Sequence, residues 1–266
     1  MNGLPYRPKS AEAYADPDEQ KLLGYFRESL AWGWNLHARA TFEFLIDARR
    51  FAAGGVMLDA GAGFKRFEPF FSSASRYISV EHPSGIAMKG MENLSYDILA
   101  ELDGEPFCPA GSIDAIYCHS VLEHVARPER FFANCQSMLR EGGRLYIHVP
   151  FMYLEHEIPY DFNRLTRYGL RSRLEEAGLA IKTLIPSSNA FYGASNFVGE
   201  GLAQDCRSHG LFLRRLKPRN LRLRLARAVF RKLIPWINAE FDEEIHDNLN
   251  PVGWLCIAEK PATGSR

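Results

Sequence analysis

From Gly55 onward, short apolar runs alternate with longer amphipathic ones, and this texture restricts the fold more than any other feature. The runs Val56–Asp59, Tyr77–Glu81, Tyr96–Ala100, Ser112–His119 and Gly143–Val149 have the length of strands rather than of helices. Continuous apolar strands separated by helices imply a mostly parallel sheet covered on both faces. Phe64–Ala74 and Pro128–Arg140 are the clearest intervening helices, and Glu141-Gly142-Gly143 ends the second of them. After Pro150 comes a loop rich in aromatic and charged residues. A short helix, Tyr168–Ala177, is closed by Gly178, and a strand follows over Leu179–Ile185. Gly253–Glu259, between Pro251 and Pro261, reads as a last strand. Ahead of the alternating region, Asp16-Pro17-Asp18-Glu19 supplies a cap, a first-turn proline and acids at a helix N-terminus. That predicts helices over Glu19–Ala31 and Leu36–Phe51.

At 266 residues the default is one large domain, or one domain with a sizeable insertion. Hydrophobic residues at 46% and charged residues at 24% exclude wholesale disorder. No apolar run approaches the ~18 residues that span a bilayer. Met1 to Gln20 is polar and lacks an apolar core, so no secretory signal is expected there. Cys108, Cys118, Cys135, Cys206 and Cys256 are odd in number and show no CxxC spacing. They argue against a disulfide framework or a zinc site and point to the cytoplasm.

The most informative stretch is Val56-Met57-Leu58-Asp59-Ala60-Gly61-Ala62-Gly63. A buried strand enters a turn whose two glycines can adopt positive φ and let a ligand press on bare backbone. A second strand ends in Glu81, where a carboxylate can accept hydrogen bonds from both ribose hydroxyls. NAD, FAD and S-adenosylmethionine all fit this pattern. A dinucleotide fingerprint, however, needs a third glycine beneath the pyrophosphate, and Arg66 stands there.

Pro106-Phe107, Ser112-Ile113-Asp114 and Val121-Leu122-Glu123-His124-Val125 resemble the signature of class I S-adenosylmethionine-dependent methyltransferases. The glycine loop resembles that family's first motif and Glu81 its second-strand acid. Arg140-Glu141-Gly142-Gly143-Arg144-Leu145 resembles its L-x-P-G-G-x-L turn, with Glu141 in place of the proline. Val149-Pro150-Phe151, His156 to Thr166 and Gly169 to Gly178 are similar to a bacterial subgroup linked to cell-surface polysaccharide and small-molecule modification. The resemblance implies a Rossmann-like, doubly wound, mostly parallel seven-stranded sheet. Its core would be 54–186 and 250–261, with a helical extension over 1–53 and a helical insertion over 187–249 before the last strand.

The resemblance also implies roles. Asp59, Gly61 and Gly63 would surround the homocysteine part of S-adenosylmethionine, and Glu81 would hold its ribose. His82, Glu101, Leu102 and His119 would line the rest of the cofactor site, with Asp97 and Asp103 as competitors of Glu101. The family implies methyl transfer to a small-molecule or glycan-precursor acceptor, most simply at oxygen. Rival readings are a non-catalytic relative that binds the same cofactor, and an RNA or protein methyltransferase. A hydroxyl acceptor gains from a base, and histidine suits neutral pH. His156 is preferred, with Tyr160 beside it and His124 as the competitor. Phe151, Tyr153, Asp161 and Arg164 are candidates for acceptor binding. Some ubiquinone-pathway relatives use a Glu-x-x-Glu-His metal cluster. Here Ser120 replaces the first glutamate, so no metal requirement is expected.

The formal net charge is zero, but it is unevenly placed. Residues 207–232 carry ten Lys/Arg and no acid, which leaves 22 bases against 32 acids in the other 240 residues. Pro218 to Ile234 reads as a helix with Leu221, Leu225, Val229 and Leu233 on one face and Arg224, Arg227 and Arg231 on another. Three readings stand. The leucines can pack on the core while the arginines pair with Glu240, Asp242, Glu243, Glu244 and Asp247. The stretch 207–234 can lie on an anionic membrane surface, with Trp236 at the interface. Nucleic-acid binding is disfavoured, because no recognisable module accompanies the charge.

Overall fold

The structure, a computed structural model, describes Tyr14 and residues 16–29, 35–208, 218–240 and 250–262. Its centre is a sheet of β1 (Val56–Ala60), β2 (Arg76–Glu81), β3 (Ile98–Leu99), β4 (Ile113–His119), β5 (Leu139–Pro150), β6 (Ala180–Pro186) and β7 (Gly253–Glu259). The strand order is β3-β2-β1-β4-β5-β7-β6. Neighbours from β3 to β5 run parallel, and β7 runs antiparallel to both β5 and β6. The chain is therefore a Rossmann-like α/β protein with a mixed seven-stranded sheet.

Side-chain alternation explains why its strands read as continuous apolar runs. Leu58, Ile116, Cys118, Leu145, Ile147 and Cys256 enter one core, under α4 (Pro128–Met138) and α5 (Arg167–Glu176). Met57, Ala115, Tyr117, Tyr146, Leu255 and Ile257 enter the other, under α1 (Pro17–Ser29) and α2 (Leu36–Phe51). Asn35 caps α2 by accepting the Ala38 N–H at 2.9 Å. The helix then buries Phe42, Phe44, Leu45 and Ile46 completely or nearly so. Each such side chain is worth about 1.5–3 kcal/mol of apolar transfer. The N-terminal helices, with Phe70 and Phe71, thus cover the centre of one face of the sheet.

Several elements depart from the sequence reading. The helix expected over Phe64–Ala74 is a series of turns with one 3-10 segment, Glu68–Phe71. Phe67, Phe70 and Phe71 do pack together toward α2 and Tyr117 at helical spacing, but Lys65 has φ +54 and Pro69 has no N–H to give, so no α-helix forms. The third strand shrinks from Tyr96–Ala100 to Ile98–Leu99. The Asp97 side chain takes the Ser79 N–H at 2.8 Å and its hydroxyl at 2.6 Å, and only the Asp97 N–H keeps a backbone bond there, to the Ser79 carbonyl at 3.1 Å. The helix from Pro128 ends at Met138 rather than Arg140, and β5 absorbs the Gly142–Gly143 turn.

The short α3 (Pro83–Lys89) follows β2, and α6 (Ala190–Ser208), α7 (Pro218–Ala228) and α8 (Ile234–Glu240) lie between β6 and β7. The predicted Pro218–Ile234 helix is broken by a π-helical turn, Val229–Leu233, in which Ile234 N–H reaches the Val229 carbonyl. Pro235 accounts for it. Its ring would strike the carbonyl four residues back, and the wider turn makes room. Asp242, Glu243, Glu244 and Asp247, the side chain of Glu240 and residues 209–217 of the basic run lie outside the described residues.

Candidate active site

A cleft of about 1160 Å³ opens where β1, β2 and β4 end, the place parallel sheets reserve for ligands. All eight expected cofactor residues line it: Asp59, Gly61, Gly63, Glu81, His82, Glu101, Leu102 and His119. Gly61 has φ +80, and a Cβ on it would collide with Val121. Gly63 has φ +53 and open space where a Cβ would stand, so its backbone borders the cleft bare. Its N–H donates to Glu81 Oε2 at 2.7 Å, and its carbonyl accepts the Tyr96 hydroxyl at 2.8 Å.

Glu81 is 7% exposed and also accepts the His82 N–H through Oε1 at 2.9 Å. Each carboxylate oxygen keeps a second lone pair for a ribose hydroxyl. Asp59 sits deeper and accepts the Tyr77 hydroxyl at 2.7 Å. Burial pushes its carboxyl up to about 7, against the pull of that bond. Glu101 lies near His82 on the rim, 3.9 Å from its Nε2. Of its competitors, Asp97 is engaged on Ser79 outside the cleft, whereas Asp103 lines the cleft and pairs with Arg127. No α-helix directly follows β1, so the glycine loop presents no helix N-terminus to a pyrophosphate. The donor set fits S-adenosylmethionine, which has a ribose and no phosphate.

The other wall carries His124, Tyr153, His156, Glu157 and Tyr160. His124 Nδ1 lies 2.6 Å from the Tyr160 carbonyl, and His156 Nδ1 lies 3.1 Å from the Leu154 carbonyl. Carbonyls only accept, so both rings carry their proton on Nδ1 and keep Nε2 basic. Both Nε2 atoms stand 3.8 Å from Glu123 Oε1. Glu123 is 1% exposed, and burial pushes its carboxyl up to about 8. Burial also lowers His124. The Tyr160 phenol is exposed, and it is the residue's carbonyl that orients His124.

Three expected acceptor residues stand behind this wall. Phe151 packs on Trp254, with centroids 6.0 Å apart. Arg164 forks onto Asp161 at 2.5 and 2.7 Å and donates to the Leu154 carbonyl at 3.0 Å. Asp161 accepts the His156 N–H at 2.9 Å. Burial raises the Asp161 carboxyl, but the Arg164 fork and that N–H outweigh it and hold it below its ordinary value. These two residues therefore shape the loop that aims His156. The loop folds back on the signature turn, where Glu123 carbonyl accepts the Phe162 N–H at 2.7 Å.

The sequence reading did not single out Glu123, His37 or His148 as site residues. Glu123 was visible inside the signature, but its burial was not. His37 and His148 belong to no motif. Only strand register brings His148 opposite His119.

Residues 58–147 match the family described as Methyltransferase domain. Those residues carry a methyltransferase domain. A Streptomyces fradiae protein, described as an uncharacterized 37.1 kDa protein in transposon TN4556, is 27% identical over 205 residues. That match covers 68% of this chain and 57% of the relative, so this chain spans less than two thirds of its length. Among solved structures, one chain of the complex between the Haloferax volcanii Trm112 methyltransferase activator and a methyltransferase has TM-score 0.53 at 14% identity, covering 85% and 91% of the two chains. The [4+2]-cyclase SpnF has TM-score 0.52 at 18% identity, covering 85% and 82%. Haemonchus contortus phosphoethanolamine N-methyltransferase 2, solved with S-adenosyl-L-methionine, has TM-score 0.50 at 15% identity, covering 83% and 52%. At these identities the structures speak for the fold of the methyltransferase domain. A cyclase among them shows that the fold does not dictate the reaction.

Proposed function

We propose that this protein transfers the methyl group of S-adenosylmethionine to an oxygen of a small-molecule or glycan-type acceptor. The observation that carries the proposal is the pair of histidines, His124 and His156, each tied to a backbone carbonyl through Nδ1 and facing one cleft with the Gly61–Gly63 loop and Glu81. Bound S-adenosylmethionine supplies a methyl group on a sulfonium, whose thioether leaves without needing a proton. The protein's tasks are then to hold the acceptor in line and to take the acceptor's proton. An Nε2 lone pair on His156, or on His124 beside it, can take that proton. Glu123 and Glu157, at 3.8 and 3.7 Å from His124 Nε2, favour the imidazolium that forms whenever they are ionised.

The test is methyl transfer from labelled S-adenosylmethionine to a panel of sugar, lipid-linked and polyphenol hydroxyl acceptors. Label in an O-methyl product supports the reading. Cofactor binding without transfer to any of them favours a non-catalytic relative. Label in nitrogen, RNA or protein products overturns the acceptor class.

The basic helices give a second reading of where the enzyme works. Leu225, Leu233 and Trp236 are 65%, 47% and 53% exposed, so they do not pack on the core. Arg231 pairs with Glu200 on α6 at 2.9 Å. An exposed apolar strip flanked by Arg222, Arg224, Arg227 and Lys232 suits an anionic membrane surface. Among the described residues no helix is long and apolar enough to cross a membrane. Co-sedimentation with vesicles containing phosphatidylglycerol, lost with neutral vesicles and in Trp236→Ala/Leu233→Ser, supports surface binding. Equal sedimentation with neutral vesicles, or salt-sensitive RNA retention in place of vesicle binding, overturns it.

A further inference from the structure

A second histidine group lies on the α2 side of the sheet, separate from His124 and His156. His119 and His148 are direct partners across the parallel β4–β5 ladder, both on the face that α2 covers. His37, in the first turn of α2, closes over them. The ring centroids of His119 and His148 are 4.4 Å apart, those of His37 and His148 4.8 Å, and those of His37 and His119 6.1 Å. One nitrogen from each ring lies within 4.8 Å of the other two.

Their polar atoms are left unanswered within the protein. His37 Nδ1, His119 Nε2 and His148 Nε2 are buried without a hydrogen-bond partner. Ser120 shows why two of these nitrogens are free. With φ +55, it sets its Oγ 3.0 Å from His148 Nδ1 and 3.3 Å from His119 Nδ1. If both Nδ1–H groups donate to that oxygen, no buried N–H of the two rings lacks an acceptor. Both Nε2 atoms are then bare lone pairs. Gly253 keeps one uncovered, since a Cβ there would collide with His148 Nε2.

We propose that His37, His119 and His148 bind a divalent transition-metal ion of the zinc type. Three neutral imidazoles with one open position form a donor set that zinc accepts. The absence of any carboxylate from the set disfavours magnesium and calcium. Nitrogens at about 2.0–2.1 Å from zinc in a tetrahedron stand about 3.3 Å apart, so the set closes when the His119 and His148 rings rotate out of their 24° stack and aim their lone pairs at one ion. Ser120 would then be the outer partner that fixes the ligand tautomers. His119 and Ser120 also line the cleft, so the ion would sit beside the methyl-transfer site. That last point rests on the methyl-transfer reading, whereas ion binding does not. The expectation of no metal was drawn from Glu123 and His124, which are different residues.

The experiment strips the full chain with a chelator, reloads it with Zn²⁺ or Co²⁺, and measures bound metal by mass spectrometry and the visible cobalt spectrum. The expected result is one ion per chain, with the intense visible bands of four-coordinate cobalt. His37→Ala, which alters the one member outside the sheet, should abolish both signals while circular dichroism stays unchanged. If that variant fails to fold, Ser120→Ala serves, with affinity lowered about 10–100-fold. His156→Ala should retain the ion. No retained metal in the wild type, equal uptake in folded His37→Ala, undiminished affinity in Ser120→Ala, or loss in His156→Ala instead would overturn the proposal. S-adenosylmethionine calorimetry on the same samples separates the two readings. Cofactor binding without metal sinks only the metal site, and metal without cofactor binding sinks only methyl transfer.

Discussion

The His124 ring meets the Tyr160 carbonyl through Nδ1 at 2.6 Å, which leaves its Nε2 as the basic nitrogen facing the cleft. His156 repeats this arrangement with the Leu154 carbonyl. Removing the base that takes the acceptor's proton costs about 10²–10⁴-fold in rate. His156→Ala is expected to lower kcat by at least about 10²-fold, with S-adenosylmethionine affinity nearly unchanged. Steady-state kinetics beside calorimetry checks this. An unchanged kcat removes His156 from the chemistry.

Glu123 should set how stability responds to alkali. Its folded carboxyl keeps its proton up to about pH 8, while the unfolded chain has released it above about 4.5. The folded state therefore binds more protons, and stability falls as pH rises through this window. Asp59, pushed up to about 7, adds to the fall in its lower part. The buried histidines, lowered when folded, cost stability only below about pH 6.5. Between pH 6.5 and 8 the carboxyls act alone among these groups, and one of them contributes at most about 1.4 kcal/mol per pH unit. Thermal melts of Glu123→Gln should lose part of the wild-type slope across that window. Identical slopes would contradict the buried, protonated Glu123.

The two glycines of the loop should fail differently. Gly61→Ala places a Cβ against Val121 at φ +80, so it should destabilise the fold by about 1–3 kcal/mol as well as weaken cofactor binding. Gly63→Ala meets no protein atom. It should cost only the about 1–2 kcal/mol of a left-handed residue, while its methyl group enters the cleft. Denaturant melts and calorimetry distinguish them. Equal destabilisation by both would contradict this geometry.

Arg164 tests the role of the loop. Its fork holds Asp161, which in turn holds the His156 N–H. Arg164→Lys cannot make two parallel bonds. It should lower kcat about 10-fold and leave cofactor affinity intact, because the loop aims His156 and does not touch the glycine turn. A change confined to cofactor affinity would refute that assignment.

The parallel sheet was legible because its strands are buried on both faces and so read as unbroken apolar runs. Leu36–Phe51 was legible to the residue, having a cap and a continuous amphipathic stripe. Phe64–Ala74 misled, because Phe67, Phe70 and Phe71 keep a helical spacing while the positive φ of Lys65 and the missing N–H of Pro69 leave only a 3-10 turn. In the site, Gly61, Gly63, Glu81 and His124 were marked by spacing along one strand–turn unit each. Glu123 was not, since its importance lies in burial, which the signature does not encode. His37 and His148 are 111 positions apart in number and meet only through the β4–β5 register and the docking of α2. Phe151 was read as an acceptor residue from its place after a strand, whereas packing on Trp254 claims it.

The central claim is that this cleft holds S-adenosylmethionine between the glycine loop and Glu81. Isothermal titration of the full chain with S-adenosylmethionine and, separately, with NAD tests it most directly. The account predicts saturable one-site binding of S-adenosylmethionine, weakened at least about 10-fold in Glu81→Ala and abolished in Gly61→Arg, with no binding of NAD. Binding of NAD in preference, or no S-adenosylmethionine binding by the folded wild type, would contradict it.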